Sequence, residues 1–224
     1  MNKRNYQKEL DKLIEALAAK RGAVPPHLFL HSCCAPCSSY VLEYLSPHFR
    51  ITVFYYNPNI TASQEYFKRV EEQKRLIDLL NTKEGHSPIA VVEGDYKPAV
   101  FLEMSQGLEQ CPEGGERCFK CYHLRLEETA KRAKEHGADY FATTLTISPL
   151  KNAQKLNEIG DELALQYQVP WLTSDFKKRN GYKRSIELSA EYELYRQDYC
   201  GCAFSKAERE RQKLSTCQNE KIRL

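Results

Sequence analysis

The sequence predicts an α/β protein with a mainly parallel sheet flanked by helices. Short apolar runs alternate with amphipathic helical stretches along most of the 224 residues, and such alternation is typical of parallel α/β folds. β-Branched and aromatic residues fill the apolar runs, most clearly in RITVFYYN at 50–57. Because no internal repeat or low-complexity linker interrupts the pattern, we expect one domain of ordinary size.

The first half of the chain yields three predicted strands. The charged segment 1–26 has a helical pattern and precedes the main domain. Pro36 suits a first helical turn, where the N–H that proline lacks has no partner in any case. The elements that follow the N-terminal segment are a buried strand at 27–32, a helix from Pro36, a strand at 50–57, a helix at 63–80, a strand at 88–94 and a short helix at 99–104.

The second half continues the alternation. We expect a loop at 107–116, a helix at 117–136, a strand at 138–146, a helix at 153–168 and a short fifth strand at 169–174. The main domain is therefore predicted at 27–205, followed by a polar C-terminal tail at 206–224. HSCCAPC (31–37) and TTLTISP (143–149) both follow predicted strands. Ligands of parallel sheets bind at the carboxyl ends of the strands, so these two segments are expected to line one crevice.

Composition narrows the class of protein. Hydrophobic residues make up 42% of the chain, enough for a core, yet no apolar run is long enough for a membrane span. The charged N-terminus lacks the apolar stretch of a signal peptide. We therefore expect a cytoplasmic protein with no membrane partner, in which nine cysteines indicate metal ligation or redox chemistry rather than disulfides.

Two cysteine pairs suggest a four-thiolate metal site. Cys118 and Cys121 form C-x-x-C at a predicted helix start, where spacing places both sulfurs on one face and the helix N-terminus favours thiolates. Cys33 and Cys34, at a strand-to-helix turn, could supply the other half. Four thiolates suit zinc or an iron–sulfur cluster. The alternative is that Cys33 and Cys34 are small buried apolar residues.

Cys200-Gly201-Cys202 is a different kind of motif. Two cysteines one residue apart close a disulfide only in a small strained ring, which needs the backbone freedom of glycine. A strained disulfide is easily reduced, so the pair suits a cycling dithiol. Ordinary metal ligation by one of the two thiols is the alternative.

The segment FKKRNGYKR (176–184) is strongly basic. Five cations and two aromatic rings, with no acid among them, are typical of a surface that binds phosphates and stacks bases. The alternative is a solvated basic loop. The five predicted nucleic-acid-binding residues are Lys177, Lys178, Arg179, Lys183 and Arg184.

Taken together, five ordered motifs resemble the epoxyqueuosine reductase family of the QueH type. They cover roughly residues 27–205 and read HSCCAPCSS, GGERCFKCYHLRLEETA, FATTLTISPLKNAQKLNEIG, DFKKRNGYKRSIELS and YRQDYCGC. The resemblance implies an ATP-pyrophosphatase-like (adenine nucleotide alpha hydrolase-like) fold. It also implies cobalamin-independent reduction of epoxyqueuosine to queuosine at the wobble position of transfer RNA, the last step of queuosine biosynthesis. HSCCAPCSS stands where that fold has its ATP-binding SGGxDS loop, so no use of ATP is expected.

The resemblance also implies roles for particular cysteines. Cys33, Cys34, Cys118 and Cys121 would hold a [4Fe–4S] cluster, and Cys200 and Cys202 would be the catalytic, redox-active pair. Cys37 stands where some relatives have aspartate, and either side chain could ligate an additional iron ion. The sequence shows no nucleotide-binding G-x-G-x-x-G, so an external electron donor is expected.

Two other functions compete with this interpretation. A transfer-RNA sulfur transferase on the same fold would need ATP and hence the missing phosphate loop. A zinc-stapled RNA-binding protein would need no redox chemistry, and bound iron and sulfide would exclude it.

Overall fold

Four strands form one parallel sheet in the part of the chain that the structure describes. The computed structural model describes residues 4–19 and 24–221, with side chains as far as 215. The strands are β1 (His27–Ser32), β2 (Arg50–Tyr55), β3 (Ala90–Glu93) and β4 (Tyr140–Thr143), in the order β3–β2–β1–β4. The predicted α/β class with a parallel sheet is confirmed, while the narrower resemblance to ATP-pyrophosphatases stays a prediction.

Eight α-helices flank the sheet within these described ranges. They are α1 (Tyr6–Ala18), α2 (Ala35–Leu45), α3 (Ser63–Asn81), α4 (Pro98–Met104), α5 (Glu116–Glu135), α6 (Ala153–Tyr167), α7 (Gly181–Glu191) and α8 (Ala203–Lys221). Of the predicted N-terminal segment 1–26, residues 1–3 and 20–23 lie outside the described residues, as do 222–224 of the predicted tail. None of the described helices is both long and apolar enough to cross a membrane.

The apolar core lies in two layers, one on each face of the sheet. Side chains alternate along β1, so Leu28 and Leu30 pack with α1, α2 and α3, whereas Phe29 packs with α5 and α6. Leu10 and Ile14 of α1 are buried in the first of these layers. Both faces of the sheet are therefore covered, which explains why every residue of β1 is buried.

The predicted fifth strand is wrong. Trp171 makes only a single bridge to Phe141, and 169–174 does not extend the sheet. The side chain of Asn157 explains this: its Oδ1 accepts the Ser174 N–H at 3.1 Å and its Nδ2 donates to the Ser174 carbonyl at 2.9 Å. A side chain of α6 thereby takes the backbone groups that a further strand residue would offer to the sheet.

The strand predicted at 138–146 ends early, at Thr143. Residues Thr144–Ile147 form a 3₁₀ turn, which begins where the Thr143 hydroxyl accepts the Leu145 N–H at 3.2 Å. Threonine commonly caps a helical turn in this way. The consequence is that Thr144 lies beside the end of β1 rather than inside the sheet.

Candidate metal centre and adjoining pocket

The site begins at the carboxyl ends of β1 and β4. The chain leaves β1 toward β2 on one side, while β4 pairs with β1 on the other, and such a reversal opens a crevice between neighbouring loops. Cys33 follows β1 and Thr144 follows β4. The Cys33 N–H donates to Thr144 Oγ1 at 3.3 Å, so the two predicted segments meet at one crevice as expected.

Cys33, Cys34 and Cys37 form the first group of thiols, which we term the triad. Their sulfurs all lie within 4.8 Å of one another, and the Cys33 and Cys34 sulfurs are 3.9 Å apart. Cys34 is the N-cap of α2 in an extended conformation, and Pro36 lies in the first turn. The helix thus starts between Cys34 and Cys37 and turns Cys37 back toward the strand end.

The triad favours a single negative charge. Hydrogen bonds from Cys34 and then Cys37 lower the pKa of Cys33 well below its usual range. The same thiolate raises the pKa of Cys34 to about 12 and that of Cys37 well above normal. The Cys33 thiolate therefore keeps the neighbouring thiols of Cys34 and Cys37 protonated. A soft metal ion can replace those protons, so the triad could hold a metal.

Four further cysteines line a small cavity of about 20 Å³. We term them the tetrad: Cys118, Cys121, Cys200 and Cys202. Cys118 lies in the first turn of α5 and Cys121 in the second, and Cys118 Sγ accepts the Gly114 N–H at 3.3 Å. Cys202 Sγ accepts the Ser205 N–H, also at 3.3 Å. The structure therefore places the C-x-x-C motif beside the C-G-C motif.

Gly201 allows both flanking cysteines to reach this cavity. Its φ is +115°, a conformation that residues with a side chain rarely adopt. A Cβ at this position would also lie 2.8 Å from Ile60. Both flanking thiols are free, so the disulfide for which the sequence predicts this glycine stays a prediction.

A buried arginine lies between the two groups of thiols. Arg125 is 1% exposed, its Nη2 has no hydrogen-bond partner, and no carboxylate pairs with it among the described side chains. Burial opposes its charge, but Cys121, then Cys200 and Cys33, outweigh that and raise the pKa of Arg125. A buried cation needs a compensating anion, and thiolates at both groups would supply it. This orphaned donor supports a metal–thiolate centre.

A larger pocket of about 490 Å³ adjoins the tetrad. The whole triad and Cys200 contribute to its wall, together with the buried cations Arg69 and Lys151. Its volume is that of sites for small molecules. Lys151 and Cys200 line both cavities, so the pocket and the tetrad share a wall.

Arg69 fixes the C-G-C loop against α3. Its side chain is 2% exposed, pairs with Glu65 at 2.7 Å and donates through Nη1 to the Cys200 carbonyl at 3.2 Å. Its guanidinium also lies over the Tyr199 ring, 5.3 Å from the centroid. Arg69 therefore determines where Cys200 stands.

The basic segment contains two kinds of cation. Three are paired with carboxylates, namely Lys177 with Asp175, Arg179 with Asp11 and Arg184 with Glu43. Lys178 and Lys183 are exposed and make no ion pair with any described residue. The second half of the segment is the first turn of α7, so Tyr182 projects from a helix at the pocket rim.

The two histidines near the motifs have no direct role at the thiols. His31 is fully buried; Nε2 donates to the Tyr56 carbonyl at 3.1 Å and Nδ1 bonds Thr143 at 2.8 Å. Burial, with a smaller effect from Arg125, lowers the pKa of His31 to about 3. It is a core histidine, whereas His123 is half-buried on α5 beside Glu127.

Sequence reasoning missed the charged residues of the site. Arg69, Arg125, Lys151 and Glu113 all lie on the cavity walls. Nothing in the sequence separates Arg69 and Arg125 from the other charged residues of α3 and α5, or Glu113 from those of its loop. Only Lys151 carried a signal, because it follows TTLTISP by two positions at a predicted strand end.

Seven thiols and a ligand-sized pocket lie at the carboxyl edge of the parallel sheet. These features are those of an α/β protein with a thiol-based metal or redox centre. A family model described as epoxyqueuosine reductase QueH matches residues 28–208. This chain belongs to that family.

The similar proteins agree with this assignment. The epoxyqueuosine reductase QueH of Staphylococcus epidermidis is 45% identical over 203 residues, covering 90% of this chain and 84% of the relative. That of Streptococcus pyogenes is 43% identical, covering 90% and 79%. That of Staphylococcus aureus is 44% identical, covering 90% and 83%.

Proposed function

We propose that this chain reduces the epoxide of epoxyqueuosine in transfer RNA to the alkene of queuosine, the last step of queuosine biosynthesis. The supporting observation is that the thiol triad and Cys200 face one ligand-sized pocket in a member of a family named for this reaction. Removing an epoxide oxygen consumes two electrons and two protons and releases water. The electrons come from an external donor in the cytoplasm, and no cobalamin is required.

The two groups of thiols hold two metal centres. The tetrad holds a [4Fe–4S] cluster and the triad holds an additional iron ion. The support is geometric: each group converges on its own space, and Arg125 lies between them with an unpaired donor. The tetrad cavity of about 20 Å³ admits one ion-sized sphere, so the four cysteine side chains would have to move apart to hold a cluster. When bound, the cluster supplies one-electron transfer and the iron ion supplies Lewis acidity.

This division differs from the ligand set that the resemblance implies, in which Cys33 and Cys34 join Cys118 and Cys121. In that alternative, Cys200 and Cys202 cycle between dithiol and disulfide. The positive φ of Gly201, which a small ring closed by these two cysteines would need, favours it. The two divisions make opposite predictions for a serine at position 202.

The protein's own residues bind and orient the modified nucleotide. Tyr182 and Leu150 are exposed at the pocket rim and offer apolar surface to a base. Lys178 and Lys183, which lack carboxylate partners among the described residues, offer charge to backbone phosphates. The pocket behind them excludes bulk water from the reacting oxygen.

The test is a single-turnover assay under anaerobic conditions. Transfer RNA that carries epoxyqueuosine is incubated with the iron-loaded, chemically reduced protein, and nucleosides are quantified by mass spectrometry. The proposal expects conversion of epoxyqueuosine to queuosine. Substrate left intact by protein with a full metal content would contradict it, and product formed only with ATP and a sulfur donor would indicate the transferase.

A further inference from the structure

A buried ion pair separates the pocket from the tetrad. Lys151 Nζ lies 2.9 Å from Glu113 Oε1, and the two side chains are 7% and 23% exposed. Both residues line the large pocket and the small cavity. Burying such a pair costs free energy that hydrophobic residues of similar volume would not cost. The pair therefore requires an explanation beyond stability.

The ion pair is tied to the C-G-C loop. The Ser205 hydroxyl donates to Glu113 Oε2 at 3.0 Å, and its oxygen accepts the Cys200 N–H at 3.1 Å. Glu113 is thus fixed by two donors, one on each carboxylate oxygen. Because Glu113 is fixed, it holds Lys151 in place at the wall that the pocket shares with the tetrad.

Lys151 is the one lysine among the described residues that line the pocket, and its side chain is buried there. The reaction needs two protons, and arginines such as Arg69 and Arg196 keep theirs. Asp198 is about half exposed and pairs with Lys213. Lys151 has three N–H bonds, only one of which points to Glu113, so the others remain available to a bound oxygen.

We infer that Lys151 hydrogen-bonds to the epoxide oxygen and protonates it as the C–O bonds break. This role rests on the proposed function. The external donor supplies two electrons, the two C–O bonds of the epoxide break, and a C=C bond forms. The oxygen leaves as water after accepting two protons, of which Lys151 Nζ gives one and solvent gives the other. Solvent then returns a proton to Lys151, and Glu113, which accepts hydrogen bonds from Lys151 and Ser205, acts as its positioning residue.

The experiment separates two properties of the Lys151 side chain, its positive charge and its ability to release a proton. Lys151→Arg keeps the charge and the donors but cannot release a proton at neutral pH, whereas Lys151→Ala removes both. Because removal of one partner leaves Glu113 buried and unpaired, Lys151→Met combined with Glu113→Gln provides a charge-free variant. Lys155→Ala is the matched control, a lysine in the first turn of α6 whose side chain is 40% exposed and pairs with Glu158. Each protein is measured for iron and sulfide content, RNA affinity and single-turnover rate.

We expect the Lys151 variants to lose about 10²–10⁴-fold in rate, the usual contribution of a general acid. Iron content and RNA affinity should stay at the wild-type level for Lys151→Arg. Small primary amines should restore rate to Lys151→Ala, and guanidine should not. The Lys155 control should match the wild type.

Several outcomes would overturn the role. A wild-type rate in Lys151→Arg would show that charge alone suffices. A rate loss that follows iron loss, without rescue by amines, would show that Lys151 only maintains the centre. If wild-type protein with a full iron content forms no queuosine, the proposed function fails, and this role fails with it. If the wild type is active and the Lys151 variants are unaffected, only this role fails.

Discussion

Replacing Cys202 with serine distinguishes the two possible divisions of the cysteines between cluster ligands and other roles. Cys202 is 8% exposed and lies in an apolar cluster with Phe101 and Cys121. A serine fits there, but its oxygen is a poor ligand for the iron of a cluster. If the tetrad holds the cluster, Cys202→Ser loses that centre and leaves the triad untouched.

The expected change is in the number of iron and sulfide ions bound by each chain. The wild-type chain should bind about five irons and four sulfides, the sum of one [4Fe–4S] cluster and one iron ion. Cys202→Ser should retain about one iron and almost no sulfide. Cys37→Ser should do the reverse and retain about four irons and four sulfides, because its sulfur lies within 4.8 Å of Cys33 and Cys34.

The assay is anaerobic reconstitution followed by elemental analysis, sulfide determination and visible absorption. Cys111→Ser is the control, since Cys111 lines neither cavity and its thiol is free. A Cys202→Ser protein with wild-type iron, sulfide and colour would refute the proposed division. If that protein also failed at multiple turnovers, the dithiol alternative would be correct.

Three further predictions follow from the geometry. Lys178→Ala with Lys183→Ala should weaken binding of transfer RNA and reduce its salt slope by about 0.9 log units per lost duplex phosphate contact, measured by titration across salt concentrations; an unchanged slope would place the RNA elsewhere. Gly201→Ala should lower the free energy of unfolding by about 1–3 kcal/mol in urea titrations, because its φ of +115° strains any side chain; an unaltered midpoint would contradict this. Burial, more than neighbouring thiols, raises the pKa of Cys121 to about 11 and of Cys202 to about 12. Raised pKa values mean that the folded state holds these protons more tightly, so the metal-free protein should lose stability as pH rises from about 8.5, whereas metal-loaded protein should not.

Much of the fold follows from local pattern. β1 at 27–32 has its predicted bounds, and the helices predicted at 63–80 and 117–136 begin and end within one residue of α3 and α5. Their apolar residues recur at helical spacing or fill a short continuous run, so the sequence itself carries the signal. The strand predicted at 169–174 fails because Asn157, distant in sequence, takes the Ser174 backbone groups.

The grouping of the cysteines depends on tertiary structure. The sequence identifies the cysteine motifs, and the crevice shared by HSCCAPC and TTLTISP is confirmed. It does not reveal that C-G-C meets C-x-x-C, because the two motifs are about eighty residues apart in sequence and come together only in the fold, where Arg69 ties the Cys200 loop to α3. For the same reason the buried Arg125 and Lys151 resemble surface cations in the sequence.

The most direct test of the account is the product of one turnover. Iron-loaded, reduced wild-type protein is mixed anaerobically with transfer RNA that carries epoxyqueuosine. The RNA is then digested, and the masses of its nucleosides are measured by mass spectrometry. The account predicts that the modified nucleoside loses one oxygen atom and becomes queuosine, in proportion to the protein added and without ATP or cobalamin. Unchanged epoxyqueuosine, with bound RNA and a full complement of iron and sulfide, would contradict it.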